Sequence, residues 1–270
     1  MSRRRAALLV GLLLVGGGPV GAQEIVDRSE LKVCADPNNL PFSNEKKEGF
    51  ENKIADLMGA ELGLKVGYAW FPQVIGFVRN TLRARLCDLV MGTVAGDEIL
   101  QTTNPYYFTT YVMFYRSDKG VDFEGTKDPR LAGLRLGVVA GTPPGDLLVR
   151  HDLMSQTKPY ALSVDTRAES PTHEMVQDVF DGTIDVGFLW GPIAGYYAKQ
   201  AKPPLSLALL TKEKSGPPMT YRIVMGVRRT DQDWKRELNS LIGANQKEID
   251  HLLLSYGVPL LDEKDNQIKE

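Results

Sequence analysis

Few residues in this 270-residue chain have the type and spacing to do chemistry. Asp97 and Glu98 are adjacent carboxylates, and either, with a raised pKa, would serve as the general acid of a dehydration. Together they also offer oxygen to a hard cation such as calcium or a lanthanide, yet such an ion wants six or more oxygens. No further carboxylate cluster of fixed spacing accompanies them. The three histidines, His151, His173 and His251, share no spacing with cysteine that suits zinc or haem. Neither a Ser/His/Asp order nor a nucleophile elbow is present. The sequence reads as a non-enzyme, without a metal site or cofactor.

Binding is the other chemistry to consider. Asn38 and Asn39 follow a short apolar run at 31–36, at the end of a strand where open α/β sheets place ligands. Pro37-Asn38-Asn39 also reads as a plain turn. Phe42, Trp70, Tyr107 and Trp190 would give a cleft an aromatic wall, or else belong to the core. An exposed aromatic recess receives a protein loop or an apolar ligand.

The composition is ordinary for a globular protein, with 43 % hydrophobic and 24 % charged residues, which removes disorder, collagen-like repeats and coiled coil. With 32 Lys+Arg against 34 Asp+Glu, the surplus of base that phosphate binding needs is missing, so no nucleic-acid partner is expected. Arg3, Arg4 and Arg5 lead into an apolar run at 6–15, and Val20-Gly21-Ala22 offers small residues before a cut. Residues 1–22 therefore read as an export signal, and the apolar run falls short of the roughly 20 residues of a membrane span. The mature chain is expected to be a periplasmic monomer with a net charge of −5.

The elements that would position these residues come in a repeating order. Strand 31–36, helix 50–62, strand 64–71, a helix over 74–82 and strand 87–92 make a parallel α/β unit, with apolar residues on both faces of its strands. The pattern restarts with strand 134–140, a turn at 141–145, helix 146–153, a helix opening at Ser170-Pro171 and strand 184–190. Two extended stretches, 106–116 and 220–227, are long enough to cross between two units. A helix over 231–256 follows. The implied boundaries are 23–112 with 222–270 for one lobe and 113–221 for the other.

Cys34 and Cys87 are an even number, which permits one disulfide in an oxidising compartment. Parallel neighbours would stagger them by about three residues, or about 10 Å. A disulfide needs Cα atoms within about 7 Å, so the bond is expected to be strained or absent unless the register differs. The alternative is two small buried strand residues.

Asp36-Pro37, Pro41-Phe42, Gly49-Phe50-Glu51-Asn52, Cys87-Asp88-Leu89-Val90-Met91-Gly92, Pro105-Tyr106-Tyr107, Gly141-Thr142 and Tyr256-Gly257-Val258-Pro259 fall in an order that resembles the periplasmic solute-binding proteins of the polar amino-acid type. That resemblance implies an α/β fold of two lobes, the type II binding-protein architecture, each lobe a mixed, mostly parallel sheet flanked by helices and joined by a two-strand hinge. It also implies three ligand handles that this sequence lacks. The arginine that takes a ligand carboxylate falls at Gly96, the aspartate that takes the ammonium falls at Trp190, and Pro143 and Pro144 delete two backbone donors after Gly141-Thr142. An amino-acid ligand would lose both ionic partners.

The unbroken Val33-Cys34-Ala35-Asp36-Pro37-Asn38-Asn39-Leu40-Pro41-Phe42-Ser43-Asn44, joined to the Gly141-Thr142-Pro143-Pro144 turn, is more similar to the J proteins of bacterial methanol oxidation, the MxaJ and XoxJ group associated with quinoprotein dehydrogenases. This resemblance implies an accessory protein whose partner is a PQQ methanol dehydrogenase of the calcium or lanthanide branch. A binder of a small apolar or aromatic solute is the alternative. The cleft is expected to take in Asn38, Asn39, Phe42, Trp70, Thr93, Gly96, Asp97, Tyr107, Thr142, Pro143 and Trp190.

Overall fold

The computed structural model describes residues 28–96 and 98–269. The leader at 1–22 and Asp97 lie outside the described residues.

The first half opens with strand β1 (Glu30–Ala35), a two-residue hairpin of β2 (Asn38–Asn39) and β3 (Ser43–Asn44), and helix α1 (Phe50–Leu62). Strand β4 (Lys65–Trp70), a single turn α2 (Phe77–Asn80), β5 (Leu89–Val94) and the short β6 (Gln101–Thr102) follow. The long β7 (Tyr107–Arg116) leads into the second half: β8 (Leu136–Val139), α3 (Pro143–Arg150), β9 (Thr157–Tyr160), α4 (Pro171–Phe180), β10 (Val186–Trp190), α5 (Gly191–Gln200) and β11 (Leu205–Leu209). The chain returns through β12 (Thr220–Val227) and ends in α6 (Gln232–Ser255) and a tail.

One curled sheet runs through both halves in the order β4-β1-β5-β12-β7-β10-β8-β9, with β11 on β7 and β6 on β12, while β2 and β3 form a separate pair. Its two flanks are parallel, β4-β1-β5 and β10-β8-β9, while β12 and β7 run antiparallel through the middle. β7 serves both halves: residues 107–110 pair with β12, and residues 111–116 pair with β10 and β11. The change of partner falls at Thr109 and Thr110, both fully buried. Their hydroxyls donate to the carbonyls of Pro259 and Met219, which satisfies polar groups that would otherwise be costly at the centre of the molecule.

Alternation along β1 divides the first core. Leu31, Val33 and Ala35 face α1 and α6, whereas Cys34 faces Phe77, Leu82, Cys87, Val90 and Leu100. In the second half Leu136 and Val138 pack on Leu147 and Leu148 of α3, and Val139 lies with Val176 and Val179 of α4. Among the described residues no helix is long and apolar enough to cross a membrane.

Several expectations change. Only residues 77–80 of the 74–82 segment are helical, because Gly76 at its head is left-handed and interrupts the run. Helix α3 starts at Pro143, not after the turn: Thr142 is its N-cap, and the two prolines occupy the first helical positions, where a missing N–H costs nothing. Cys34 and Cys87 are joined, with Cα atoms 5.4 Å apart. The register is the staggered one, Val33 opposite Leu89 and Cys34 opposite Val90. Cys87, however, precedes β5, and it packs with Cys34 in one cluster with Phe77, Leu82, Val90 and Leu100. A spacing along the strand does not apply to a residue outside it.

Candidate functional site

The site is built from the chain that follows β1. Gly49 caps α1, and a Cβ there would stand 2.0 Å from the Phe42 carbonyl oxygen, so only glycine lets the 36–44 segment close over the helix start. Fully buried Asn52 locks this contact: its side-chain oxygen accepts from the N–H groups of Asn44 and Gly49. Phe50 and Glu51 donate their N–H groups to the carbonyls of Pro41 and Phe42. As a result Phe42 and Glu51, residues from two different motifs, lie on one cavity of about 540 Å³ between the halves, within the range of small-molecule sites.

The middle strands supply its aromatic wall. Tyr107 and Tyr111 are four residues apart on β7 and therefore share a face. Directly across from that face are Ile223 opposite Tyr107, Tyr221 opposite Thr109 and Trp190 opposite Tyr111. Cross-strand partners touch. The rings of Tyr111, Trp190 and Tyr221 have centroids 4.8, 5.7 and 6.1 Å apart at angles of 63° to 76°, a mutually edge-on group. Burial pushes the Tyr111 hydroxyl up to about 12, with Tyr221 adding to the shift.

Glu51 is a partly buried carboxyl on the cavity wall. Gly92 of β5, at φ +68, makes room for it, since a Cβ there would stand 2.2 Å from the Glu51 Oε1. Its carboxyl accepts no hydrogen bond from a described residue. Desolvation, with the Asp36 carboxylate second, raises its pKa to about 8. The neighbouring Tyr106 and Tyr107 are driven well above the usual phenol range by burial.

The mouth is bridged. The Asp36 carboxylate accepts from the Thr166 hydroxyl at 2.7 Å, and the Asn38 side-chain amide donates to the Thr166 carbonyl at 2.7 Å. Asp36 also takes the N–H groups of Asn38 and Gln73, so one buried carboxylate ties β1, the 72–76 loop and the second half together.

Of the residues expected in the cleft, Asn38, Asn39, Phe42, Tyr107, Thr142 and Trp190 line this cavity. Trp70 does not; it stacks on Tyr68 with centroids 4.5 Å apart and packs on the first core. Thr93 is paired with Val224 in the sheet, and Pro143 is spent in the first turn of α3. Gly96 is an exposed turn residue, and none of the three lines the cavity. Exposed Glu98 also lies outside the lining, and its carbonyl accepts from Arg229. Glu51, Tyr111 and Tyr221 were the residues sequence reasoning did not place here.

No protein-family model matches the chain. The protein MoxJ of Methylorubrum extorquens is 30 % identical over 249 residues, which span 87 % of this chain and 83 % of that one. Among solved structures, the periplasmic binding protein XoxJ of Methylobacterium extorquens is 40 % identical with a TM-score of 0.74, the match covering 86 % of this chain and all, 100 %, of that one. MxaJ of Methlophaga aminisulfidivorans is 28 % identical with a TM-score of 0.75, over 86 % and 100 % of the two chains.

Proposed function

Because the chain belongs to the MoxJ, MxaJ and XoxJ family of periplasmic binding proteins, we propose that it is an accessory protein of methanol oxidation that contacts a PQQ-dependent methanol dehydrogenase and helps to activate or mature it. On this reading residues 1–22 direct export, and the mature monomer acts in the periplasm as two lobes hinged at β7 and β12, without catalysis of its own.

The observation that carries the proposal is the apolar collar of the cavity. Val94 and Leu162 line it while remaining 42 % and 61 % exposed, and Ile75, two residues beyond the lining Gln73, is 94 % exposed. Large apolar side chains standing in water around a concave mouth mark a surface that another protein covers. Chemical crosslinking of the mature protein to purified dehydrogenase tests this. Wild type is expected to crosslink. Ile75→Asp and Leu162→Asp, changes at exposed positions that leave the core intact, are expected to reduce the yield at least tenfold. No crosslink to the dehydrogenase, or an undiminished yield from both variants, rejects the reading.

The bridge across the mouth of the cavity favours a second reading, a binder of a small solute. Its predicted signature is a molecule retained in native mass spectrometry.

A further inference from the structure

The charge of the cavity lining is one-sided. Glu51 and Glu169 line it, and no Lys, Arg or His does. The resemblance to amino-acid binders implies a cationic end that this lining lacks, while an acidic group faces the cavity. The same cavity is lined by the edge-on set of Tyr111, Trp190 and Tyr221, whose ring faces carry partial negative charge.

We infer that this cavity takes a small organic cation, an alkylammonium or quaternary ammonium without a carboxylate, its charge opposed by Glu51 and its methyl groups against the rings of Tyr111, Trp190 and Tyr221. Three features converge on that class. Aromatic faces attract a cation most strongly when it is shed of water, and a concave wall of rings sheds part of that water. The Glu51 carboxyl has no hydrogen-bond donor among the described residues, so a bound cation would be its first partner. Gly92 keeps open the space in which that carboxyl sits. A neutral apolar solute would leave Glu51 unmatched, and a zwitterion would bring a carboxylate into a lining with no base to receive it.

Binding is then linked to pH. The groups facing Glu51 are Asp36 just after β1, Tyr68 of β4, Tyr106 just before β7 and Tyr107 at its start. Burial holds all three phenols protonated through neutral pH, Tyr68 at about 12. Glu51 itself carries its proton below about 8, so cation binding expels that proton and affinity rises with pH through neutrality.

The inference does not depend on the dehydrogenase and is tested on the purified protein alone. Choline and its uncharged isostere 3,3-dimethyl-1-butanol are titrated by calorimetry at pH 6.5 and 8.5, with glycine betaine as the zwitterionic comparison. Choline is expected to bind at least tenfold more tightly than the isostere at pH 8.5, more weakly at pH 6.5, and more tightly than betaine at both. Glu51→Gln is expected to lower choline affinity at least tenfold and leave the isostere unchanged, a contrast that general structural damage does not produce. Equal binding of choline and the isostere to wild type, tighter binding of betaine, or no binding of choline at millimolar concentration overturns the inference without recourse to any variant.

Discussion

Replacing Cys34 and Cys87 together by alanine is expected to lower the stability of the protein by about 4 kcal/mol, the loop-closure entropy of a crosslink spanning 53 residues. The loop it closes contains the β2-β3 hairpin, α1, β4 and α2, and its ends lie in β1 and just before β5. Both cysteines are buried, at 3 % and 1 % exposure, among Phe77, Leu82, Val90 and Leu100. Alanine also leaves a small void in that cluster, which adds to the loss. Urea unfolding of the double variant against wild type measures the effect. The midpoint should fall and the slope should rise, because the uncrosslinked chain exposes more surface when unfolded. A loss below about 1 kcal/mol would mean that the crosslink constrains a denatured ensemble that is already compact. The same bond fixes the entry into β5, five residues before Gly92, so choline affinity is expected to weaken in parallel.

The disulfide also shows where a sequence stops being readable. β1, β5, β8 and β10 are legible because their runs are apolar, and α1 because Phe50, Ile54 and Met58 recur at helical spacing; β9, with the sequence Thr-Lys-Pro-Tyr, carries no apolar run and is not read as a strand. Distances from Cys87 are not legible, because they depend on whether the residue is inside a strand or just before it. Helix α5 hides behind Gly191-Pro192, a pair that reads as a turn and here sits in the first turn of the helix. The aromatic wall was half legible. Strand alternation alone puts Tyr111 on the face of Tyr107, but Tyr221 and Trp190 join them only through the registers of β12 and β10, which are pairings between segments far apart in sequence. Trp70 looks equivalent to Trp190 by type and position at a strand end, yet β4 is an edge strand of the sheet, and its tryptophan packs on Tyr68 instead. Glu51 belongs to Gly49-Phe50-Glu51-Asn52, yet nothing in those four residues says that the helix start tucks beneath Phe42; only the close approach of Gly49 to the Phe42 carbonyl puts Glu51 on the cavity.

Between pH 5 and pH 8 the protein is expected to lose stability through Glu51 as the pH rises, by up to about 1.4 kcal/mol for each unit. In the unfolded chain this carboxyl titrates near 4.5, and in the folded protein near 8. Over the interval the folded state holds a proton that the unfolded state has released, so each rise in pH favours unfolding. The contribution is fully present below the unfolded value and gone above the folded one. Other carboxylates act elsewhere. Asp128, Asp165 and Asp185 are held below the usual range by Arg130, Arg167 and Arg135, and their stabilisation is lost only as the pH falls below the ordinary carboxylate value. The comparison with Glu51→Gln isolates this one carboxyl, because every other group is common to the two proteins. Glutamine is nearly isosteric with the protonated acid and cannot ionise. The variant should match wild type near pH 5 and exceed it by a few kcal/mol near pH 8, as read from urea midpoints at the two values. Parallel pH profiles for the two proteins would place the acid in contact with bulk water and remove the basis for its raised pKa. Choline connects this result to the binding site: it should stabilise wild type more at pH 8 than at pH 5, and the Gln variant equally at both, since only an ionised Glu51 distinguishes a cation from its neutral isostere.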